Sequence, residues 1–360
     1  MNNKAVIAMS GGVDSSVAAL LMREKNYSCI GVTMKLFQNE DIGISREHTC
    51  CSLEDTEDAR SVAYSVGIPY YVFNFSDRFK ETVIKRFVEA YENGATPNPC
   101  IDCNRYLKFD KLFERARQIG FDYVVTGHYA RIGFDGESGR YILKKGIDET
   151  KDQSYVLYSM TQEQLAHTLF PLGDMTKSEV REIAARHGFI NAEKHDSQDI
   201  CFVRQGTYSD FIEEYIGKTY PEGDFITRGG DVIGRHKGII RYTVGQRKGL
   251  GLSFGAPMYV CEINPETNTV VLGDEKDLYS KTLVANDINL ISIPEIDGKM
   301  RVRAKTRYRQ EEQWATAEQI SQTELRIVFD EPQRAVTKGQ AVVLYDSDTV
   351  VGGGTIAYKE

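Results

Sequence analysis

The chain has 360 residues, 41% of them apolar and 27% charged, with a formal net charge of −8. That length exceeds one ordinary core and predicts two or three soluble domains. The acidic balance excludes a protein that coats nucleic acid indiscriminately, although a local basic stripe is still allowed. No apolar run is long enough to cross a bilayer, and the first nine residues break at Ser10-Gly11-Gly12 rather than reading as a signal peptide. The expectation is a cytoplasmic protein.

Strand and helix patterns alternate from the start. Residues 5–9 predict a buried strand, 15–25 an amphipathic helix and 29–34 a second strand. A helix capped by Ser52 and Asp55 follows and stops at Gly67. Next come a strand over 70–75, helices over 77–93 and 104–118, and a strand over 123–126. Such alternation implies an α/β fold, a parallel sheet with helices on both faces that binds ligand at the carboxyl ends of its strands. From about Gly206 glycine becomes dense and long helical patterns vanish. A small β-rich module over 206–277 and a β-barrel over 278–360 are expected after a first domain of 1–205.

Ser10-Gly11-Gly12-Val13-Asp14-Ser15-Ser16 lies between the first strand and the first helix. Glycines there let backbone amides approach an anion, the helix dipole points at it, and the serine hydroxyls add donors. A plain strand-to-helix turn would not need three serines. Since no lysine precedes the Ser pair, it is not the Walker loop.

Seven cysteines are too few, and an odd number, for a disulfide scaffold. Cys29 and Cys261 sit in apolar strand patterns and read as small buried hydrophobes. Cys50 and Cys51 open a helix and read as structural. Thr96-Pro97-Asn98-Pro99-Cys100-Ile101-Asp102-Cys103 is different, because two prolines fix a rigid approach to a helix. Cys103 at that helix start should have a depressed thiol pKa. Cys201 lies in a polar loop context far along the chain.

Arg301, Arg303, Lys305, Arg307 and Arg309 alternate strictly. On a strand they would share one face at about 7 Å spacing, a candidate track for an RNA backbone. A solvated edge strand is the bland alternative. Arg241, Arg247 and Lys248 could extend such a surface.

The Ser10–Ser16 loop resembles the PP-loop of the ATP-pyrophosphatase superfamily, the adenine nucleotide α-hydrolase-like fold. With Pro97-Asn98-Pro99 and Cys103, Thr126-Gly127-His128-Tyr129-Ala130, Lys151-Asp152-Gln153-Ser154-Tyr155, Cys201, Tyr242-Thr243-Val244-Gly245-Gln246-Arg247 and Lys305-Thr306-Arg307-Tyr308-Arg309, nearly the whole chain looks like the bacterial tRNA-specific 2-thiouridylases. That resemblance implies ATP-dependent 2-thiolation of the wobble uridine in a tRNA anticodon. Cys103 would be the nucleophile and Cys201 the persulfide carrier. ATP would meet Ala8, Met9, Ser10, Gly11, Gly12, Val13, Asp14, Ser15, Met34 and Gly127, with Asp14 helping to organise Mg²⁺. Asn98, Pro99 and Cys100 would meet the target base, and His128, Lys151, Asp152, Gln153, Arg307, Tyr308 and Gln340 the tRNA. An upstream cysteine desulfurase or relay protein would supply the persulfide.

Many members carry Asp where Cys100 stands. Here Cys100 and Cys103 form a C-x-x-C, open to reading as a harmless variant, a resolving thiol or, with Cys201, three ligands of an iron–sulfur cluster or zinc. One C-x-x-C is weak evidence for metal, and no metal ligand is assigned. Two competing readings are a PP-loop synthetase acting on a small metabolite and a thiol redox or metal-binding protein. The first would need no basic strand, and the second leaves the Ser10–Ser16 loop unexplained.

Overall fold

The computed structural model describes residues 3–37, 53–194, 200–203, 206–252 and 255–360. Strand β1 (Lys4–Ala8), with Ala5, Val6 and Ile7 wholly buried, turns through the glycine–serine loop into helix α1 (Val13–Glu24). Strand β2 (Ser28–Lys35), helix α2 (Leu53–Val66) and strand β3 (Tyr70–Asn74) repeat the unit. The helix cap expected at Ser52, and the pair Cys50 and Cys51, lie outside the described residues.

Two long helices follow, and each contains a wider stretch. Helix α3 (Ser76–Phe79) passes through π-helical turns at Lys80–Ile84 into α4 (Lys85–Glu92). Helix α5 (Pro99–Cys103) passes through a second π-helical stretch, Asn104–Lys111, into α6 (Leu112–Gln118). Stretches of this kind recur at functional sites. The second begins one residue after Cys103.

Strand β4 (Tyr123–Val125) is followed by the hairpin β5 (Ala130–Asp135) and β6 (Arg140–Lys145). Helix α7 (Gln162–Ala166), strand β7 (Thr168–Leu169) and helix α8 (Lys177–Arg186) complete the first region. Its sheet is parallel throughout, in the order β3-β2-β1-β4-β7. Strand order reverses beside β1, so the loops leaving β1 and β4 flank the crevice where such sheets bind ligand.

Past the long helical patterns, the short helix α9 (Tyr208–Ile216) forms between a Thr207–Asp210 capping box and the left-handed Gly217. Strands β8 (Gly223–Thr227), β9 (Val232–His236), β10 (Tyr259–Asn264) and β11 (Thr269–Gly273) make a small sheet in the order β10-β11-β8-β9. The last six strands are β12 (Tyr279–Leu290), β13 (Lys299–Lys305), β14 (Gln313–Ser321), β15 (Glu324–Arg334), β16 (Ala341–Asp346) and β17 (Thr349–Lys359). Pairing of β12 with β17 closes them into a barrel, filled by Leu283, Val302, Ala315, Ile327, Phe329 and Leu344. The β5–β6 hairpin extends this sheet from outside through Thr349 and Lys144, and Arg131 and Lys144 both pair with Asp348. The barrel is thereby riveted to the first region.

Candidate active site

The loop after β1 is held on every side by buried contacts. Gly11 has φ +79°, and a side chain there would strike the Asp55 backbone of α2. Asn191 Nδ2 donates to the Gly11 carbonyl and to Ser16 Oγ, both at 2.9 Å. Ser15 Oγ donates to Gly12 O at 2.9 Å and accepts from the Ser10 amide at 3.2 Å. Helix α1 starts at Gly12 with no side-chain cap on its first amides. A helix amino terminus of that kind beside glycines is suited to phosphate oxygens. An added Cβ on Gly127 would lie 2.7 Å from the Asp14 carbonyl carbon and 2.8 Å from the Ser15 amide nitrogen. Gly127 therefore packs directly on the Asp14–Ser15 backbone of the loop, and Met34 lies two residues past Val32, the partner of Ala8 on β2.

Cys103 departs from its expected state. The helix begins at Pro99, capped by Asn98, whose side chain accepts from the Cys100 amide at 3.2 Å, so Cys103 is already its fifth residue. Its half-buried side chain packs against a large hydrophobic cluster that includes Phe79, Phe87, Phe202 and Phe211. Burial pushes its thiol up to about 11, only partly opposed by Lys108. Desolvation outweighs the helix dipole, and the resting thiol is protonated at neutral pH. Exposed Cys201 precedes Phe202, whose ring lies 5.1 Å from those of Phe87 and Phe211. Cys103 thus packs on the cluster to which Phe202, the residue after Cys201, belongs. Cys29 and Cys261 are buried at 5% exposure each. Among the described residues no group of three His, Cys, Asp or Glu side chains is placed to hold a metal ion.

The residues expected at tRNA divide. Gln340 Nε2 donates to Thr96 O at 2.8 Å, tying the barrel to the segment that leads into Asn98, Pro99 and Cys100. A cavity of about 260 Å³ opens there, lined by Thr96, Thr243, Gly245, Arg307, Thr337 and Gln340, so all three regions of the chain reach it. Tyr308 lies 6.0 Å from the ring of Tyr155, two residues beyond Gln153. Lys151, Asp152 and Gln153 are partly exposed, whereas His128 is buried at 8% between Phe109 and Phe170. Burial keeps its imidazole neutral, and Nδ1 is hydrogen-bonded to Thr126 Oγ1 at 2.6 Å.

The basic strand is shorter than its sequence suggests. β13 ends at Lys305, and Arg307 to Arg309 lie in the turn beyond it. Lys305 is buried against the rings of Tyr155 and Tyr345, and Arg301 pairs with Asp330. A five-residue phosphate track on one strand face does not form, because hydrophobic closure of the barrel interrupts the alternation. Arg241 is likewise engaged, by Asp210 and Glu213 of α9.

Comparison with known proteins decides the family. Residues 3–205 match the family described as "tRNA methyl transferase HUP domain", 209–274 its "PRC-barrel domain" and 280–356 the "Aminomethyltransferase beta-barrel domain". The tRNA-specific 2-thiouridylase MnmA of Clostridioides difficile is 54% identical over 99% of this chain and 98% of its own. Its namesakes in Lachnoclostridium phytofermentans and Moorella thermoacetica are each 52% identical over 98% of this chain, and over 99% and 98% of their own. The chain belongs to the tRNA-specific 2-thiouridylase family. Among solved structures, a 4-thiouridine synthetase–RNA complex with bound ATP is similar at 19% identity and a TM-score of 0.34, covering 56% of this chain and 45% of that one, a likeness too slight to add to the fold.

For a member of this family, the sequence reading missed the groups that hold Asp14. Lys177, at the start of α8 and only 8% exposed, donates to Asp14 Oδ1 at 2.7 Å and to Oδ2 at 2.8 Å. The Tyr129 hydroxyl adds a 2.8 Å bond to Oδ1. Lys194 Nζ, 2.6 Å from Asp55 and 2.7 Å from Asp58, fastens the end of the first region to α2 beside Gly11. The Thr176–Glu179 capping box announces the helix that carries Lys177, but nothing local to residue 177 announces its partner 163 positions away.

Proposed function

We propose that the chain replaces the C2 oxygen of the wobble uridine in a tRNA anticodon with sulfur. It consumes ATP with Mg²⁺ and draws sulfur from a cysteine persulfide supplied by a desulfurase or relay protein in the cytoplasm. The observation that carries this reading is the full-length likeness to relatives named for uridine 2-thiolation. The domain descriptions speak of methyl transfer. A glycine–serine loop at a sheet's switch point and the two cysteines Cys103 and Cys201 instead suit adenylation followed by sulfur transfer.

A uracil C2 carbonyl is a weak electrophile, and its oxygen leaves only once it is esterified. Bound ATP supplies the adenylyl group, so that the oxygen departs within AMP after pyrophosphate has been lost. The open amides at the start of α1 and the hydroxyl of Ser10 hold the phosphate chain, and Asn98, Pro99 and Cys100 receive the base. That base must leave its stack, which costs least in a single-stranded anticodon loop. Cys201 carries the sulfane sulfur. In one route that sulfur bonds to C2 as AMP leaves, and Cys103 then attacks Cys201 Sγ to free the thiocarbonyl. In the other Cys103 first expels sulfide, which attacks C2. Both routes leave a Cys103–Cys201 disulfide that an external thiol must reduce with two electrons.

The test supplies ATP, a persulfide donor and unmodified tRNA and measures thiolated nucleoside. Cys103→Ser and Cys201→Ser each abolish product, while Cys261→Ser retains it. Equal turnover by all three variants would defeat the cysteine assignment.

A further inference from the structure

We propose that Tyr129 couples tRNA bound at residues 151–153 to the nucleotide loop, so that ATP is gripped more tightly once tRNA is seated. The inference rests on the tRNA-binding reading above and adds a positioning residue to it.

Tyr129 joins the two ends of the site through separate groups. Its amide donates to Gln153 Oε1 at 3.0 Å, and its carbonyl accepts from the Gln153 amide at 2.9 Å. Its hydroxyl donates to Asp14 Oδ1 in the loop. The main chain at 129 therefore follows Gln153, while the phenol follows Asp14. Little slack is available. Tyr129 is 3% exposed, and a Cβ on Gly146 would lie 3.0 Å from its carbonyl oxygen.

A second path leaves the same stretch of chain. The Lys151 amide donates to Asp148 O at 3.0 Å, and Asp148 Oδ2 accepts from the Lys177 amide at 2.9 Å. The Lys177 ammonium then meets both oxygens of Asp14. Both side chains that fix Asp14 are thus anchored to residues 148–153. Packed interiors pass on displacement instead of absorbing it. When a phosphate or sugar is drawn onto Lys151 or Gln153, Asp14 is pushed or pulled with them.

A structural brace would hold the loop identically with and without RNA; a coupling element changes ATP affinity when RNA binds, and reciprocally. Calorimetric titration of α,β-methylene ATP into the full chain, with and without unmodified tRNA transcript, separates the two. In the wild type, tRNA tightens the analogue by about fivefold or more, the lower end of ordinary coupling. Tyr129→Phe, which keeps the ring, drops that factor below about twofold, whatever change it makes in the affinity for the analogue alone. Hydrogen exchange gives a second readout, since tRNA alone slows the amides of residues 10–16 in the wild type but not in Tyr129→Phe. Wild-type binding of both ligands without coupling, or coupling unchanged in Tyr129→Phe, would overturn the proposal by itself. Failure of the wild type to bind the transcript would instead overturn the reading beneath it.

Discussion

The nucleotide loop and the thiol pair stand in opposite states of readiness. Around Gly11, Ser15 and Gly127, backbone approach, buried hydrogen bonds and an uncapped helix start leave the loop shaped before any ligand arrives. At the thiols, Cys103 is held against aromatic rings with its proton on, and Cys201 is exposed beside Phe202. On the proposed function, one half of the reaction is preorganised, and the other awaits a partner that changes its surroundings. That order protects the chemistry, because a resting thiolate beside a persulfide carrier would be oxidised without product.

The comparison can be broken at either end. Gly127→Ala pushes a methyl group into the Asp14–Ser15 backbone, so tRNA-dependent AMP formation falls by about 100-fold or more, while tRNA affinity in a filter-binding assay changes by less than about threefold. An equal loss of both would show that the loop is not an independent unit. Cys103 alkylation by iodoacetamide, followed by peptide mass spectrometry, should quicken about tenfold per pH unit from pH 7 to 10, because the thiol is pushed up to about 11. A plateau near pH 8 would mean an activated thiolate.

Arg307 lines the three-region cavity, whereas Arg301 already has Asp330 as its partner. Arg307→Ala should weaken tRNA binding about tenfold and Arg301→Ala less than about twofold. The smallest effect concerns Asp102, whose carboxyl burial pushes up to about 6 against the pull of Arg86 and Arg105. A raised carboxyl pKa favours the folded form only while the group is protonated. That contribution is complete below the unfolded value of about 3.9 and is lost as pH rises through 6. Asp102→Asn should therefore gain Tm over the wild type between pH 4 and 6, by about 2 °C, and hold a constant lead above that.

The alternation of the first region, the loop after β1 and the barrel strands were legible because each follows from local period and turn chemistry. The Cys103 environment was not, since the cluster it packs against includes Phe202 and Phe211, about a hundred residues away in the chain. The basic strand misled for a related reason. Alternation from 301 to 309 continues in the sequence, but the barrel needs Lys305 packed on Tyr155 and Tyr345 and turns the chain immediately afterwards. The hold of Tyr129 and Lys177 on Asp14 escaped notice because it lies in reaching one carboxylate from positions far apart in the chain.

The fate of one oxygen atom tests the account most directly. With a tRNA carrying ¹⁸O at C2 of the target uridine, ATP, and enzyme loaded with persulfide, mass spectrometry of the products should find the label in AMP, in step with the thiolated nucleoside. Label released into water, or cleavage of ATP to ADP, would contradict activation of that oxygen by adenylation.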